Sequence, residues 1–522
     1  MAEAIFVPSY KKAKTLVDDV SVTDIRLTKL NKKVALSFSL SWLDSWRFAE
    51  VENGPKNWDA VWVFVKLSAS NRMRSFPTYW PGNWGPAHFE TDANSYLGPV
   101  DSVIAPAEDG LGFFVYRRAP GRGPVSFRGI AVTFADDTAQ FIAESEELDV
   151  AVMAIRMVYI PEGPFWVGDP TGVRGPTNCF YAPESQDTSN LAYQVASEAA
   201  IDIGKESGQL YYKDNGYGGD QKGPIPAEFP KGTEPFYIMR DHVTQSHYAR
   251  FINLLPSTAK TIRYPYLGEG AFRFTIYTDR SGNRTATRGR RPCNYLSWAD
   301  GTAYADWAAL RPMTELEFTK ACRGLADPVE DEFAWGNTCI ELAQIILGHE
   351  SVESVVSGNC NIGNANVPFD GGDGGQGPVR SDVLLMQGAP DAVFFFKDHE
   401  LYHDPTISRI RQESGVSYYG VMGLSGNLWE YAVSVGSPEG RAFTGKHGNG
   451  NLDSSGSPDY DDLCWPGVDC NGVGFRGGSW YTDEALGRVA DRSYGGGLPG
   501  YIFRSHDTGF RCARTAPADA EE

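Results

Sequence analysis

The chain has 522 residues, 42% of them hydrophobic and 13% aromatic, so it can bury substantial cores and its length suits roughly two to four domains. Its formal charge of -19 excludes sequence-independent nucleic-acid binding, which needs a basic face to release counterions. No stretch is apolar enough to span a bilayer, and Met1 to Pro8 carries no charged leader before a long apolar run; the expectation is a soluble chain, cytoplasmic or displayed on a phage or injection-type particle.

Residues 1–151 read as strands. Lys11, Lys12 and Lys14 are expected to form a solvated arm. Val34, Leu36, Phe38, Leu40 and Trp42 alternate with Ala35, Ser37, Ser39 and Ser41, which places the large apolar groups on one face of a strand. Val61, Val63 and Val65 alternate with Trp62 and Phe64, so that strand is expected to be covered on both sides. Runs at Phe113 to Tyr116, Val125 to Phe134 and Leu148 to Val152 are separated by Gly- and Pro-rich turns such as Gly121-Arg122-Gly123-Pro124. The expectation is an all-β, sandwich-like domain without a catalytic constellation.

Residues 152–515 mix short helices with long loops. Thr244 caps a helix with Tyr248, Phe251, Ile252 and Leu255 on one face. Ser297 with Asp300 opens a second, carrying Ala303, Tyr304 and Trp307. Thr314 with Glu317 opens a third, where Met313 and Phe318 occupy the two positions of a hydrophobic staple. The Gly-rich stretches Tyr211 to Asp220 and Asp370 to Gly375 are expected to be loops, because glycine loses so much backbone freedom on ordering. Eight cysteines show no close metal-like pairing; Cys464 and Cys470 can form a disulfide or stay reduced. Residues 516–522 form an acidic tail.

The most informative stretch is Gly474-Phe475-Arg476-Gly477-Gly478-Ser479-Trp480, followed by Gly509-Phe510-Arg511-Cys512-Ala513-Arg514. Met157 to Gly168, Phe236-Tyr237-Ile238, Arg311 to Phe318, Ala334-Trp335-Gly336-Asn337 and Gly423 to Glu430 precede it. In this order the motifs resemble formylglycine-generating enzymes (sulfatase-modifying factors) and relatives with a C-type-lectin-like core, over about Val152 to Arg514. The implied fold class is α+β, a C-type lectin-like domain preceded by the all-β sandwich-like domain.

The resemblance also implies chemistry that these residues do not supply. Those enzymes need two cysteines after the Gly-Gly-Ser-aromatic motif to hold copper, and the matching positions are Thr482 and Gly487, neither of which gives a thiolate. The related sulfoxide synthases hold iron with histidines of a helical N-terminal domain, whereas this N-terminal region has His88 alone. No catalytic residue is therefore assigned. For calcium, the segment Gly423 to Glu430 implies ligands at Gly426, Leu428 and Glu430, with Gly423 standing where the family has a side-chain amide. A second candidate set is Asn361, Asp370 and Asp373, oxygen donors suited to a hard cation. His399-Glu400-Leu401-Tyr402-His403 matches a zinc-protease pattern, but Asp398, Asp404 and Pro405 oppose the helix it needs. No cofactor is required on this reading, and calcium is the ion to test.

Between the two Gly-Phe-Arg frames the chain resembles the variable proteins of diversity-generating retroelements, which use the same core. Randomised asparagine codons there end in a pyrimidine and cannot encode Met, Trp, Lys, Gln or Glu, and Ala485 to Ala520 contains none of these. The diversified segment would span about 475–514. Tyr481, Thr482, Asp483, Ser493, Tyr494, Tyr501, Phe503, Arg504, Ser505, His506 and Asp507 are the expected contact residues, large stiff rings mixed with directional polar groups. Trp480, Val489 and Phe510 are expected beneath them as fixed core. The expected function is non-catalytic recognition of a protein or other macromolecular ligand. The alternatives are a metal-dependent enzyme of the same superfamily lacking the paired cysteines, and a structural interaction protein.

Overall fold

The computed structural model describes residues 9–12, 19–48, 56–69, 84–183, 190–343, 346–347, 354–355, 358–362, 377–380, 411–498 and 504–517. In strand Lys33–Phe48, Leu36, Phe38, Leu40 and Trp42 are all buried, as alternation of side chains across a strand requires. Strand Asn57–Ala69 is buried along its whole length. Val61, Val63 and Val65 enter one core with Leu36, Phe38 and Phe113. Trp62 and Phe64 enter a second with Phe114, Tyr237 and Trp307. Each fully buried valine contributes about 1.5–3 kcal/mol.

These strands belong to a 13-stranded sheet that does not stop where the two expected domains meet. Strand Glu147–Ile160 runs antiparallel to Asn57–Ala69, from Leu148 opposite Ala69 to Val158 opposite Asp59. Its far end pairs with Phe236–Met239, which pairs with Cys512–Thr515, and Arg311–Pro312 lies beyond. The boundary expected at 151/152 falls inside this strand. Met157 and Val158 have partners on both sides, so the two regions are joined by a shared strand rather than by a linker.

An ionic network closes the junction. The buried Asp59 carboxylate accepts from Trp42 Nε1 at 2.6 Å, Ser45 Oγ at 2.9 Å and Arg156 Nη2 at 2.9 Å. Asp44 sits between Arg156 and Arg240, at 2.6 Å from each. Burial alone would raise the Asp44 carboxyl, but the two guanidinium groups hold it well below the usual range.

The helices begin where the sequence places their caps. Thr244 caps Gln245–Asn253, and Ser297/Asp300 and Thr314/Glu317 form reciprocal capping boxes at Trp298–Trp307 and Glu315–Arg323. Met313 and Phe318 meet in one core. Three short strands complete the C-terminal architecture: Val473–Arg476 runs antiparallel to Trp429–Val433, and Thr508–Gly509 lies parallel to its other edge. Both Gly-Phe-Arg frames are thus built against a single strand. The eight cysteines, Cys464 and Cys470 included, are free thiols. The loop Tyr211 to Asp220 packs through glycines: a β-carbon at Gly219 would lie 2.5 Å from Gly436 Cα. Asp370 to Gly375 and residues 518–522 lie outside the described residues. Among the described residues no helix is long and apolar enough to cross a membrane.

Candidate functional site

The segment after the first frame rests on a rigid floor. Trp480, Val489 and Phe510 are buried. Ser479 Oγ and Ser505 Oγ donate to the two oxygens of Asp507 at 2.9 and 2.6 Å, and Trp480 Nε1 donates to the His506 carbonyl at 3.3 Å. These bonds tie the two ends of the segment together.

Above the floor lies a ring cluster. Tyr481, 52% exposed, has its ring centroid 5.5 Å from Trp480 and 4.8 Å from His506. Beside it Thr482 Oγ1 accepts from Ser479 N at 2.9 Å, and the exposed Asp483 caps the turn Glu484–Gly487 through Ala485 N. Burial lowers the His506 imidazole below its usual value against the opposing pull of Asp507.

Several expected contact residues have other tasks. Asp507 is buried, its carboxylate consumed by the two serines, so it belongs to the floor. Arg504 donates to Asp300 at 2.7 and 2.8 Å and to the Ile262 and Tyr264 carbonyls, a buttress rather than a contact group. Ser493 is held by Asp491, whose carboxyl burial pushes up to about 6. Tyr494 is half-buried, its ring 5.7 Å from Trp429 and 5.6 Å from Tyr217. The described residues therefore bring Tyr481, Thr482, Asp483, Ser505 and His506 together, with Tyr494 packed beside Tyr217. Tyr501 and Phe503 lie outside the described residues.

Thr482 and Gly487, matched by resemblance to the family's copper-binding cysteines, carry no thiol. Thr482 presents a hydroxyl bonded back to Ser479 O at 3.1 Å. At Gly487 an added β-carbon would lie 2.3 Å from Ile362 Cδ1. The pair does not fit a copper ion.

Glu430, expected among the calcium ligands, already has protein partners. The buried Glu430 carboxylate is gripped by Arg511 Nε at 2.9 Å and Nη2 at 2.7 Å, and His242 Nε2 lies 3.0 Å from it. Burial alone would raise its pKa, but Arg511 and His242 hold it below the usual range. The Leu428 carbonyl faces His242 Nε2 at 3.3 Å, and a β-carbon at Gly426 would lie 2.6 Å from Cys360 Sγ. Asn361 Nδ2 donates to Gly377 O, while Asp370, Asp373, His399 and His403 lie outside the described residues. Among the described residues no group of three or more His, Cys, Asp or Glu side chains is arranged to hold a metal.

Sequence reasoning missed two neighbours of the surface. Phe272 lies 5.4 Å from Trp480 and 4.7 Å from His506, ring to ring. Asn294 Nδ2 donates to the carbonyls of both Phe272 and His506, at 3.1 and 3.0 Å. Neither residue carries a local signal, since the contacts close over more than 200 residues of chain.

Comparison with known proteins bears on residues 151–516, which match the model of the family described as the sulfatase-modifying factor enzyme 1-like domain. A search of curated proteins finds no match.

Proposed function

The chain belongs to the sulfatase-modifying factor enzyme 1-like family, and from that premise we propose that it is a non-catalytic, ligand-binding member. It recognises a protein ligand through the surface between its two Gly-Phe-Arg frames, on a C-type lectin-like scaffold, in the manner of retroelement-diversified variable proteins. The observation that carries this reading is the division between a hydrogen-bonded floor and an exposed filling: Trp480 is fully buried while the adjacent Tyr481 is half exposed. A surface can accept many sequences only where substitutions spare the close-packed interior. Exposed, stiff rings beside Asp483 and Thr482 are the composition that recognition surfaces favour.

The N-terminal strands act as the attachment or assembly module, sharing strand Glu147–Ile160 with the binding region. The family description favours one second reading, a divergent metal-dependent enzyme. Panning a displayed peptide library against the protein separates the two. Selected peptides are expected to lose binding when Tyr481 and His506 are both changed to serine, with the melting temperature nearly unchanged. Peptides that bind this double variant as tightly as the parent would remove the surface from the function.

A further inference from the structure

Ser505, His506 and Asp507 place a hydroxyl, an imidazole and a carboxylate on three successive residues, and one carboxylate oxygen lies near both neighbours. Ser505 Oγ donates to Asp507 Oδ1 at 2.6 Å, while His506 Nδ1 stands 3.7 Å from the same oxygen. The other oxygen accepts from Ser479 Oγ at 2.9 Å. His506 Nδ1 is buried, with no hydrogen-bond partner among the described residues. A neutral imidazole tolerates this, because Nδ1 can hold a lone pair while Nε2 carries the proton. A protonated one does not, since Nδ1 then bears an N–H that needs an acceptor.

Three rings enclose the imidazole, Phe272 at 4.7 Å, Trp480 at 5.2 Å and Tyr481 at 4.8 Å between centroids. The charged and titratable groups on the surrounding elements point to one acceptor. Arg504 is engaged by Asp300, Arg273 Nε donates to the Pro378 carbonyl, and Arg291 Nη1 donates to the Arg273 carbonyl. Asp483 caps its own turn, which contains the exposed Glu484. Tyr295, on the loop whose amide bonds to Ser505 O, has its phenol pushed up to about 12 by burial. Burial holds the His506 imidazole below its ordinary value, and Asp507 is the charge that opposes burial.

We infer that Ser505, His506 and Asp507 form an acid-sensitive switch in the ring cluster: when His506 takes a proton from solvent, Nδ1 closes on Asp507 Oδ1 in place of Ser505 Oγ, and the imidazole shifts against Phe272, Trp480 and Tyr481. Closing from 3.7 Å to the length of a charge-assisted bond moves the ring by roughly 1 Å. The carboxylate stays anchored through Ser479, so the floor holds while the rings above it move. The unfolded imidazole titrates near 6.5; as pH falls below that value the folded chain loses stability until its own His506 is protonated. On the recognition reading above, acid thereby changes the surface that a ligand meets.

The experiment is a pH titration of the full chain with isotope-labelled histidine and tyrosine rings, followed by NMR, with His506→Gln and Tyr481→Phe assigning the signals. The Tyr481 ring signals should follow the His506 transition. Asp507→Asn should move the His506 midpoint to lower pH, because it removes the charge that favours the imidazolium. Ser505→Ala should move it to higher pH, because it removes the donor that competes for Oδ1. Asp507 belongs to the floor, and where its asparagine variant does not fold, Ser505→Ala carries the test alone. A midpoint that Ser505→Ala lowers or leaves unmoved, a folded Asp507→Asn protein with an unmoved midpoint, or Tyr481 signals that ignore His506 each overturn the switch. No ligand enters the titration, so its failure leaves the recognition reading standing, and failure of the peptide panning leaves the switch standing.

Discussion

Arg511 holds Glu430 with two nitrogens inside the protein, at 2.9 and 2.7 Å, and the same guanidinium donates to the Met239, Arg240 and Met422 carbonyls. It therefore links the second Gly-Phe-Arg frame to the strand Trp429–Val433 and to the segment leading into the helix capped by Thr244.

Removing either partner should be costly. Arg511→Met leaves a buried carboxylate without its counter-charge and is expected to lower stability by about 3–5 kcal/mol. The folded Glu430 carboxyl lies below its unfolded value of 4.5, so its contribution is complete above that pH and is lost as pH falls through the folded value. Calcium or a chelator should leave the melting temperature unchanged. A calcium-dependent rise abolished by Glu430→Gln would show that a cation displaces Arg511.

Formylglycine formation should be absent. Thr482 and Gly487 supply no thiolate. Purified protein with copper and a sulfatase-derived cysteine peptide is expected to leave the thiol intact by mass spectrometry. Aldehyde above background would return the protein to the enzymatic branch of its family.

Floor and filling should respond differently to truncation. Trp480→Ala is expected to cost about 3–5 kcal/mol, the range for emptying a large buried ring site. Tyr481→Ala should change stability by no more than about 0.5 kcal/mol, as surface changes usually do. Urea unfolding of the two variants measures both. A large loss at Tyr481 would make its ring part of the core.

Lys66 offers a pH-dependent test. Its amine lies over the Trp307 ring at 5.4 Å and donates to Gly450 O at 2.6 Å, and burial pushes it down to about 7 despite the opposing charge of Asp306. Burial likewise pushes Asp306 up to about 7. Between about 7 and 10.5 the unfolded chain holds more protons on Lys66 than the folded one, so stability rises with pH across that window. Asp306 titrates below it. Lys66→Met should stabilise the protein most near pH 7, and the gain should shrink as pH approaches about 10. A gain constant with pH would show that the folded amine keeps its proton.

What the sequence makes legible is what short-range chemistry decides. Thr244, Ser297 and Thr314 cap their helices because a cap and its partner lie three residues apart. The two-faced burial of Val61 and Trp62 follows from strand alternation. The family frame is legible because its motifs keep their order. Arg504 and Asp507 look like contact residues in sequence because both are charged. Their distant or buried partners, Asp300 for one and Ser479 for the other, assign them to structure. Phe272 joins the rings through contacts that no periodicity announces.

The strand Glu147–Ile160 also decides how the protein can be divided. Cutting at residue 151 would split one ladder and strip the C-terminal region of its neighbour, Asn57–Ala69, from Val152 to Val158. The backbone amides and carbonyls that now bond to that neighbour would face solvent along an apolar edge, a template for pairing with any other extended chain. The excised C-terminal region is therefore expected to aggregate, and anyone transplanting the surface around Tyr481 must carry the N-terminal strands with it.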